Sequence, residues 1–182
     1  NSGIKEILII LSQGKESIKT HFGHNKSLEA NLLAKKKIEM YDEVIGLSKL
    51  CKIKYVYQDK MLGLGDAISY AKTFAGKDPF AVLLGDDVVV AKGKTALTQC
   101  IEAYNKTKSC IVGVQPVDMK VVNKYGIVAL KNKNQSKNSV FAIKNLVEKP
   151  DIKKAPSNLA ILGRYVLTPD IFKAIKATKL DK

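Results

Sequence analysis

Apolar and polar residues fall along the chain in blocks that predict strands and helices in turn. The run KEILIILS at 5–12 is rich in isoleucine and leucine, which is typical of a buried strand. GKESIKTHF at 14–22 starts like a capped helix, and the segment at 28–50 has a helical composition. KIKYVYQ at 52–58 alternates basic or polar residues with apolar ones, which favours a strand.

The same alternation of element types continues through the middle of the chain. A helix is predicted after GLGDA and another near residue 100, because apolar residues recur there at helical spacing. Those residues are Ala67, Tyr70, Ala71 and Phe74 in the first helix and Leu97, Cys100, Ile101 and Tyr104 in the second. PFAVLLG at 79–85 and SCIVGVQPV at 109–117 are predicted strands. Strands that alternate with helices indicate crossover connections and a mostly parallel sheet.

The back half of the chain lacks that alternation. YGIVALKN, SVFAIKNLVEKP and NLAILGRYVLTP are predicted strands with no helix between them. NKNQSKN at 132–138 is predicted to be a polar turn, and a final helix is predicted to begin at Pro169 or Asp170. We therefore expect an α/β fold with a mostly parallel front half and antiparallel strands in the back half, in a single domain over 1–182.

Composition is typical of a globular protein. The sequence has 182 residues, of which 46% are hydrophobic and 26% charged, enough to bury one core. No apolar run reaches the roughly 20 residues that span a bilayer, and the start NSGIKEILIILS does not resemble a signal peptide. The three cysteines are far apart and in no metal-ligand spacing, which favours reduced thiols. We expect a cytoplasmic protein that does not bind membranes.

The net charge of +14 raises the question of nucleic-acid binding. Of the 31 basic residues, however, only Arg164 is an arginine, and the lysines are spread along the chain. Arginine dominates the recognition of bases and phosphates, so these dispersed lysines are more typical of solvated surface. We expect no nucleic-acid partner.

Two adjacent carboxylates, Asp86 and Asp87, directly follow the apolar strand PFAVLLG. An unpaired charge beside a core is costly, so their charge must be compensated. They either open a turn in solvent or bind a hard divalent cation such as Mg²⁺, which takes one or two protein carboxylates together with water and phosphates. Asp86 is the better candidate for a metal ligand, and Asp87 either shares that role or holds the turn.

Polar residues also end two other predicted strands. Gln58 closes one, and the glycines at 63 and 65 after it either allow a flat ring to approach the main chain or simply form the turn. Glu148 and Lys149 precede Pro150, where they form either a solvated ion pair or a site for a sugar and a phosphate.

Other polar residues are interpreted as structural. Ser157 and Asn158 are predicted to be turn or cap residues, and His21 and His24 to be structural or surface residues. The sequence contains no nucleophile elbow and no thiol beside a histidine.

The order of the motifs resembles that of a known family. HFGHN…LEANLLAKKK, Q…GLGDAI, PFAVLLGDD, YGIV, NLVEKP and APSNLAILGRY follow one another as in bacterial UTP–glucose-1-phosphate uridylyltransferases. The resemblance runs from about residue 3 to about residue 175. The combination of LVEKP with APSNLAILGRY is specific to this branch of the sugar nucleotidyltransferases.

The resemblance implies a Rossmann-like mixed sheet of the glycosyltransferase-A type and a homo-oligomer. It also implies a magnesium-dependent enzyme that converts UTP and glucose 1-phosphate into UDP-glucose and pyrophosphate. On this chain, Gln58 and the backbone of Gly63 would contact uracil, and Asp86 would bind Mg²⁺.

The same resemblance implies a sugar site in the back half. Gly126, Glu148 and the backbone near Ile161 would contact glucose, and Lys149 would hold the sugar phosphate. Lys149 and Asp86 are then the expected catalytic residues, because Mg²⁺ and an ammonium group neutralise the two anionic reactants.

Parts of the family pattern have no match in this sequence. The family begins with a strand and a glycine-rich loop that wraps the triphosphate, and it continues past the last residue here with another metal-facing carboxylate. We therefore expect this chain alone to be incomplete for catalysis. Asp66 stands where the family usually has histidine, in GLGHA.

Two other functions stay open on the sequence. A related enzyme with another nucleotide or sugar fits as well, because the Gln58 amide can pair with thymine as well as uracil. A non-catalytic module that keeps the sugar-nucleotide cleft without turnover is the second alternative.

Overall fold

The computed structural model describes residues 2–23, 25–49, 51–132 and 140–178. The strands are β1 (Glu6–Ser12), β2 (Lys52–Gln58), β3 (Phe80–Leu83), β4 (Ile111–Pro116), β5 (Gly126–Leu130), β6 (Ile143–Glu148) and β7 (Leu159–Leu167). The α-helices are α1 (Glu16–Phe22), α2 (Lys26–Ala34), α3 (Ile38–Lys49), α4 (Leu64–Ser69), α5 (Lys72–Ala75), α6 (Ala96–Thr107) and α7 (Ile171–Ala177). Short 3₁₀ helices lie at Met119–Lys124 and Ile152–Lys154. Within these described ranges, no helix is long and apolar enough to cross a membrane.

The chain divides into two units. The first contains residues 3–77 and 169–178 of the described chain, and the second contains Ser2 and residues 78–168. A parallel strand pair lies in the first unit and an antiparallel sheet in the second, so the predicted mixed α/β class is confirmed. The single domain over 1–182 stays a prediction, and the predicted turn at 132–138 lies almost wholly outside the described residues.

The first unit is built on the parallel pair of β1 and β2. Their register runs from Glu6 opposite Lys52 to Ser12 opposite Gln58. Helices α1, α2 and α3 connect them, which is the crossover that parallel neighbours require. Both strands therefore end at one edge of the sheet, with Ser12 and Gln58 side by side.

The helical segment predicted at 28–50 is divided into two helices. α2 ends at Ala34 because Lys36 adopts the left-handed conformation, with φ of 54°. The Lys37 N–H then donates to the Leu32 carbonyl at 2.9 Å, which closes the helix end. Glycine is the usual residue at such a position, so a run of lysines gave no sign of the break.

β7 is the central strand of the second unit. β3 and β4 both pair with it antiparallel, and both lie opposite Tyr165 and Val166, so they occupy its two edges. β5 joins it where Ile127 lies opposite Ala160, and β6 pairs antiparallel with β5. β3 and β4 therefore run in the same direction, as predicted, but β7 lies between them. The antiparallel pairing predicted for the back half is confirmed.

The core of the second unit contains two clusters of buried side chains, and both include residues of β7. Val122, Ile127 and Ala160 are fully buried in one cluster, which joins the first 3₁₀ helix to β5 and β7. Leu97 and Cys100 of α6 pack with Val166 in the other. Burial of these apolar side chains supplies most of the stability of such a sheet.

Gly163 of β7 lies against the turn that follows β3. A Cβ atom at Gly163 would lie 2.7 Å from the Leu84 Cβ, closer than two carbon atoms approach without a clash. The Leu84 N–H donates to the Gly163 carbonyl at 2.9 Å. The absence of a side chain at Gly163 therefore permits this backbone contact.

We expect Gly163→Ala to lower the free energy of unfolding by about 1–3 kcal/mol, because the added methyl group displaces the Leu84 turn. Gly46→Ala in α3 is the matched control, since nothing lies within 4 Å of the Cβ position there. That control should be neutral or stabilising by about 0.5–1 kcal/mol. Thermal denaturation of both variants measures the difference, and equal melting temperatures would contradict the prediction.

Candidate active site

The end of β2 opens into a pocket in the first unit. The pocket has a volume of about 230 Å³ and is lined by Ser12, Gln13, Gln58, Asp59 and Met61. It lies at the carboxyl ends of β1 and β2, where ligands bind in open α/β sheets. Gln58, the predicted uracil contact, is therefore on the surface of a concave site.

Gly63 lies directly before α4 and is exposed. Gly63 caps α4 with φ of 98° and ψ of −177°, a conformation that disfavours residues with a side chain. Nothing lies within 4 Å of the position that a Cβ would occupy. The space beside Gly63 is therefore open to a ligand that approaches the main chain.

Asp66 contacts the Gln58 side chain directly. The Gln58 Nε2 atom donates to Asp66 Oδ2 at 2.6 Å, and the contact is partly buried. The C-terminal end of α4 is also tied to the end of β2, because the Asp59 N–H donates to the hydroxyl of Tyr70, the C-cap residue of α4, at 3.1 Å. Asp66, which stands where the family usually has histidine, is thus hydrogen-bonded to the predicted uracil contact Gln58.

Asp86 and Asp87 lie in the turn after β3, and their environments differ. Asp87 is half-buried and its Oδ2 atom accepts a hydrogen bond from the Gly163 N–H at 2.7 Å. Asp86 is exposed. Of the two interpretations left open for Asp87, the contact with Gly163 favours the one in which it holds the turn.

The guanidinium group of Arg164 stabilises the same turn through hydrogen bonds to main-chain carbonyls. Its Nη1 atom donates to the carbonyls of Gly163 at 2.8 Å and Leu84 at 3.3 Å. Its Nη2 atom donates to the Asp87 carbonyl. A planar guanidinium with several donors suits this set of carbonyls, whereas a lysine ammonium could not span them.

The predicted sugar-binding residues of the second unit come together. Gly126 of β5 lies opposite Glu148 of β6. A Cβ on Gly126 would lie 3.0 Å from Ile161 Cδ1 and 3.1 Å from Glu148 Oε2, so these groups surround the space that the glycine leaves. Residues from three strands therefore form one corner, which we call the β5–β6 corner.

Lys149 follows directly and has an unusual backbone. Its φ is 42°, in the left-handed region, and its N–H donates to the Tyr125 carbonyl at 3.0 Å. Its Nζ atom lies 3.7 Å from Glu148 Oε1, and both side chains are largely exposed. Such exposed pairs contribute little stability, so both groups are free to bind other partners.

A larger cavity of about 570 Å³ adjoins Lys149. It is lined by Asn123, Lys149, Pro150, Asp151, Ile152, Lys153 and Lys154. Lys154 pairs with Asp151 at 3.3 Å. Three lysines on one concave surface make it suitable for an anion.

The Tyr165 hydroxyl interacts electrostatically with two carboxylates of the second unit, Glu148 and Asp87. Burial first, and then the Glu148 and Asp87 carboxylates, raise the pKa of the Tyr165 hydroxyl above its ordinary value. The hydroxyl therefore stays protonated at neutral pH and can donate a hydrogen bond.

The residues predicted to be structural have structural contacts. The Ser157 hydroxyl donates to the Val128 carbonyl at 2.6 Å, and Asn158 Nδ2 donates to the Val117 carbonyl at 3.2 Å. His21 packs edge-on against Phe22. His24 lies outside the described residues.

Comparison with known proteins supplies the family. A family model described as nucleotidyl transferase matches residues 1–182. The chain belongs to the nucleotidyl transferase family. A UTP–glucose-1-phosphate uridylyltransferase from Mycoplasma pneumoniae is 49% identical over 175 residues, which are 96% of this chain and 60% of that relative.

Solved structures agree with this nucleotidyl transferase assignment. A UTP-bound UGPase from Acinetobacter baumannii has a TM-score of 0.91 at 33% identity, over 100% of this chain and 64% of that one. A UDP-glucose pyrophosphorylase solved with UDP-glucose has a TM-score of 0.82 at 33% identity, over 98% of this chain and 64% of that one. The resemblance inferred from the motifs is confirmed, and the chain spans 60% of the length of its Mycoplasma relative.

Several residues that line or support the site of this nucleotidyl transferase carry no role predicted from the sequence. They are Ser12, Gln13, Lys153, Lys154, Arg164 and Tyr165. Arg164 had a visible signal, because it is the sole arginine and lies within an apolar strand. The roles predicted for Gln58, Gly63, Asp86, Gly126, Glu148, Lys149 and Ile161 stay predictions.

The two neighbouring aspartates of this nucleotidyl transferase should respond differently to replacement by asparagine. Asp86→Asn should abolish Mg²⁺-dependent nucleotide binding with a stability change within about 0.5 kcal/mol, because the side chain is exposed. Asp87→Asn should weaken binding less and cost about 1–2 kcal/mol of stability, because it loses a charged acceptor for the Gly163 N–H. Calorimetric titration and thermal denaturation measure the two effects, and equal losses of binding would refute the assignment.

Proposed function

We propose that this chain carries most of the active site of a UTP–glucose-1-phosphate uridylyltransferase, which makes UDP-glucose and pyrophosphate from UTP and glucose 1-phosphate. The observation that carries the proposal is the β5–β6 corner, where Gly126, Glu148 and Ile161 lie in close contact beside Lys149. The names of the Mycoplasma relative and of the UTP-bound and UDP-glucose-bound neighbours support it.

The reaction is an in-line displacement at phosphorus. A phosphate oxygen of glucose 1-phosphate attacks the α-phosphorus of UTP and forms a new P–O bond. The bond from that phosphorus to the oxygen bridging the α- and β-phosphates breaks, and its electron pair leaves with pyrophosphate. Because the attacking phosphate is already ionised, no side chain has to remove a proton. Positioning of the reactants and neutralisation of their charge are the main tasks of the protein.

Uridine binding is assigned to the first unit. The Gln58 amide offers both a donor and an acceptor at the wall of the pocket beyond β1 and β2. The open space beside Gly63 lets the base approach the main chain. Together these features suit a flat ring with a hydrogen-bonding edge.

Sugar and phosphate binding are assigned to the β5–β6 corner. Glu148 accepts hydrogen bonds from glucose hydroxyls, and the missing side chain of Gly126 lets the Glu148 carboxylate and Ile161 lie close to the main chain. The Lys149 side chain is 64% exposed, and its ammonium group holds the sugar phosphate as a point charge. Lys153 and Lys154 add positive charge to the adjoining cavity.

Asp86 suits a divalent metal. It is exposed at the end of β3, while its neighbour Asp87 is occupied by the Gly163 N–H. In the described part of the chain no group of three or more histidine, cysteine or acidic side chains forms a metal site. Mg²⁺ binds through one or two carboxylates when substrate phosphates and water complete its shell, so a single carboxylate fits this ion. Bound there, Mg²⁺ would supply positive charge to the nucleotide phosphates.

The homo-oligomer, the cytoplasmic location and the lack of a nucleic-acid partner stay predictions. The dispersed lysines remain the argument against a nucleic-acid interface.

Pyrophosphate release from UTP and glucose 1-phosphate with Mg²⁺ tests the proposal, in this chain and in the longest chain that its gene encodes. Lys149→Ala should lower kcat/KM by about 10²–10³-fold in the active form, because one charge on the reacting phosphate is lost. Lys144→Ala is the matched control, since Lys144 is an exposed lysine near the start of β6, at the other end of the strand from Lys149. It should leave the rate unchanged.

The possible outcomes separate the proposal from its alternatives. Release with dTTP but not with UTP would favour a related enzyme with another nucleotide. Binding of UDP-glucose with no release from either chain would favour the non-catalytic module. Equal activity of the Lys149→Ala and Lys144→Ala variants would overturn the role of Lys149.

A further inference from the structure

The hydrogen bond between Gln58 and Asp66 defines the orientation of the Gln58 side-chain amide, with the nitrogen toward Asp66. The Nε2 atom lies 2.6 Å from Asp66 Oδ2 in a partly buried position. Asp66 lies in the first turn of α4, and its own carbonyl accepts a hydrogen bond from the Ser69 hydroxyl at 2.6 Å. The carboxylate is therefore carried by an ordered turn, eight residues after the glutamine that it contacts.

The two ends of a glutamine amide have the same shape and opposite chemistry. An ionised carboxylate only accepts hydrogen bonds, so the NH₂ end of the amide can face it and the oxygen end cannot. A reversed Gln58 amide would bring Oε1 against Asp66 Oδ2, two acceptors with no proton between them. The contact thus leaves Oε1 as an acceptor, and the second Nε2 hydrogen as a donor, for a ligand in the pocket.

We propose that Asp66 is a positioning residue that fixes the orientation of the Gln58 amide and thereby makes the pocket select uracil or thymine over cytosine. The inference rests on the proposed function, because it assumes that Gln58 contacts the base.

The hydrogen-bonding edges of the bases explain the selection. Uracil presents an N3–H donor beside the O4 acceptor, which match Oε1 and the remaining Nε2 hydrogen of Gln58. Thymine has the same edge. Cytosine presents an N3 acceptor beside an amino donor, so it would require the reversed amide that Asp66 opposes. Sites that leave a polar group unpaired discriminate strongly against the wrong ligand.

The histidine that the family usually has at this position would act differently. A neutral imidazole donates from one nitrogen and accepts at the other, so its tautomer can adapt to either orientation of an amide. A carboxylate at Asp66 has no such freedom. Selection through a fixed amide is therefore a property of this chain's own residue.

Calorimetric titration with UTP and with CTP, both with Mg²⁺, tests the proposal in the longest chain that the gene encodes. The quantity compared is the ratio of the two affinities. Asp66→Asn should lower that ratio by about tenfold, because its amide can accept from or donate to Gln58 and no longer fixes its orientation. Asp66→Glu keeps an acceptor-only group and should retain more of the ratio.

Asp59→Asn is the matched control. Asp59 lines the same pocket and carries the same charge, but the Gln58 amide bonds to Asp66. Loss of its charge should change the two affinities alike and leave their ratio unaltered. A purely electrostatic role for Asp66 would make the two asparagine variants behave identically, and that result would overturn the proposal.

The side-chain amide signals of Gln58 in the NMR spectrum give a second readout that needs no ligand. They are assigned by their loss in Gln58→Ala, and we expect one Nε2 proton to be shifted downfield by the carboxylate. Asp66→Asn should remove that shift. If Asp66→Asn does not fold, the wild-type spectrum decides, because a Gln58 signal without the shift would overturn the proposal.

The outcomes distinguish this inference from the proposed function. A wild-type preference for UTP that persists in Asp66→Asn would overturn the inference and leave the proposed function intact. Failure of the wild type to bind either nucleotide would overturn the proposed function, and the inference with it.

Discussion

Backbone hydrogen bonds occupy both edges of β7, and the positions of the candidate residues in the second unit follow from them. Pairing with β3 brings the turn containing Asp86 against Gly163 and Arg164. Pairing with β5 brings Gly126 against Ile161, and β6 then adds Glu148. Because side chains alternate along a strand, a shift of one residue would turn Arg164 away from the carbonyls it binds. The chemistry of this unit depends on that register.

At two strand ends, one group is hydrogen-bonded to the backbone while a neighbouring charged group is exposed. Asp87 is tied to the backbone of β7, while Asp86 beside it is exposed. The Lys149 N–H is tied to Tyr125, while its ammonium group is exposed near Glu148. Each turn is thus held by one group and leaves another for a ligand. Rigid placement of a charged group lowers the cost of ordering it when the ligand binds.

Much of the fold was predictable because strand and helix periods are local signals. The seven strands, the parallel front pair and the antiparallel back half followed from runs of apolar residues. The break at Lys36 did not, because a lysine rather than a glycine takes the left-handed position. Asp86 and Asp87 could not be separated by spacing, since the Gly163 N–H that distinguishes them lies 76 residues beyond Asp87 in the chain. The partners of Arg164 are main-chain carbonyls, which no sequence pattern marks.

The backbone conformation of Lys149 lowers stability, while its side chain supplies an ammonium group. A residue with a side chain at φ of 42° stores about 1 kcal/mol or more of strain, and the following Pro150 restricts the backbone further. Glycine would adopt this conformation without that cost but would bring no ammonium group to the β5–β6 corner. Selection for thermal stability alone would therefore favour glycine at this position, whereas the proposed role of Lys149 in turnover requires the lysine.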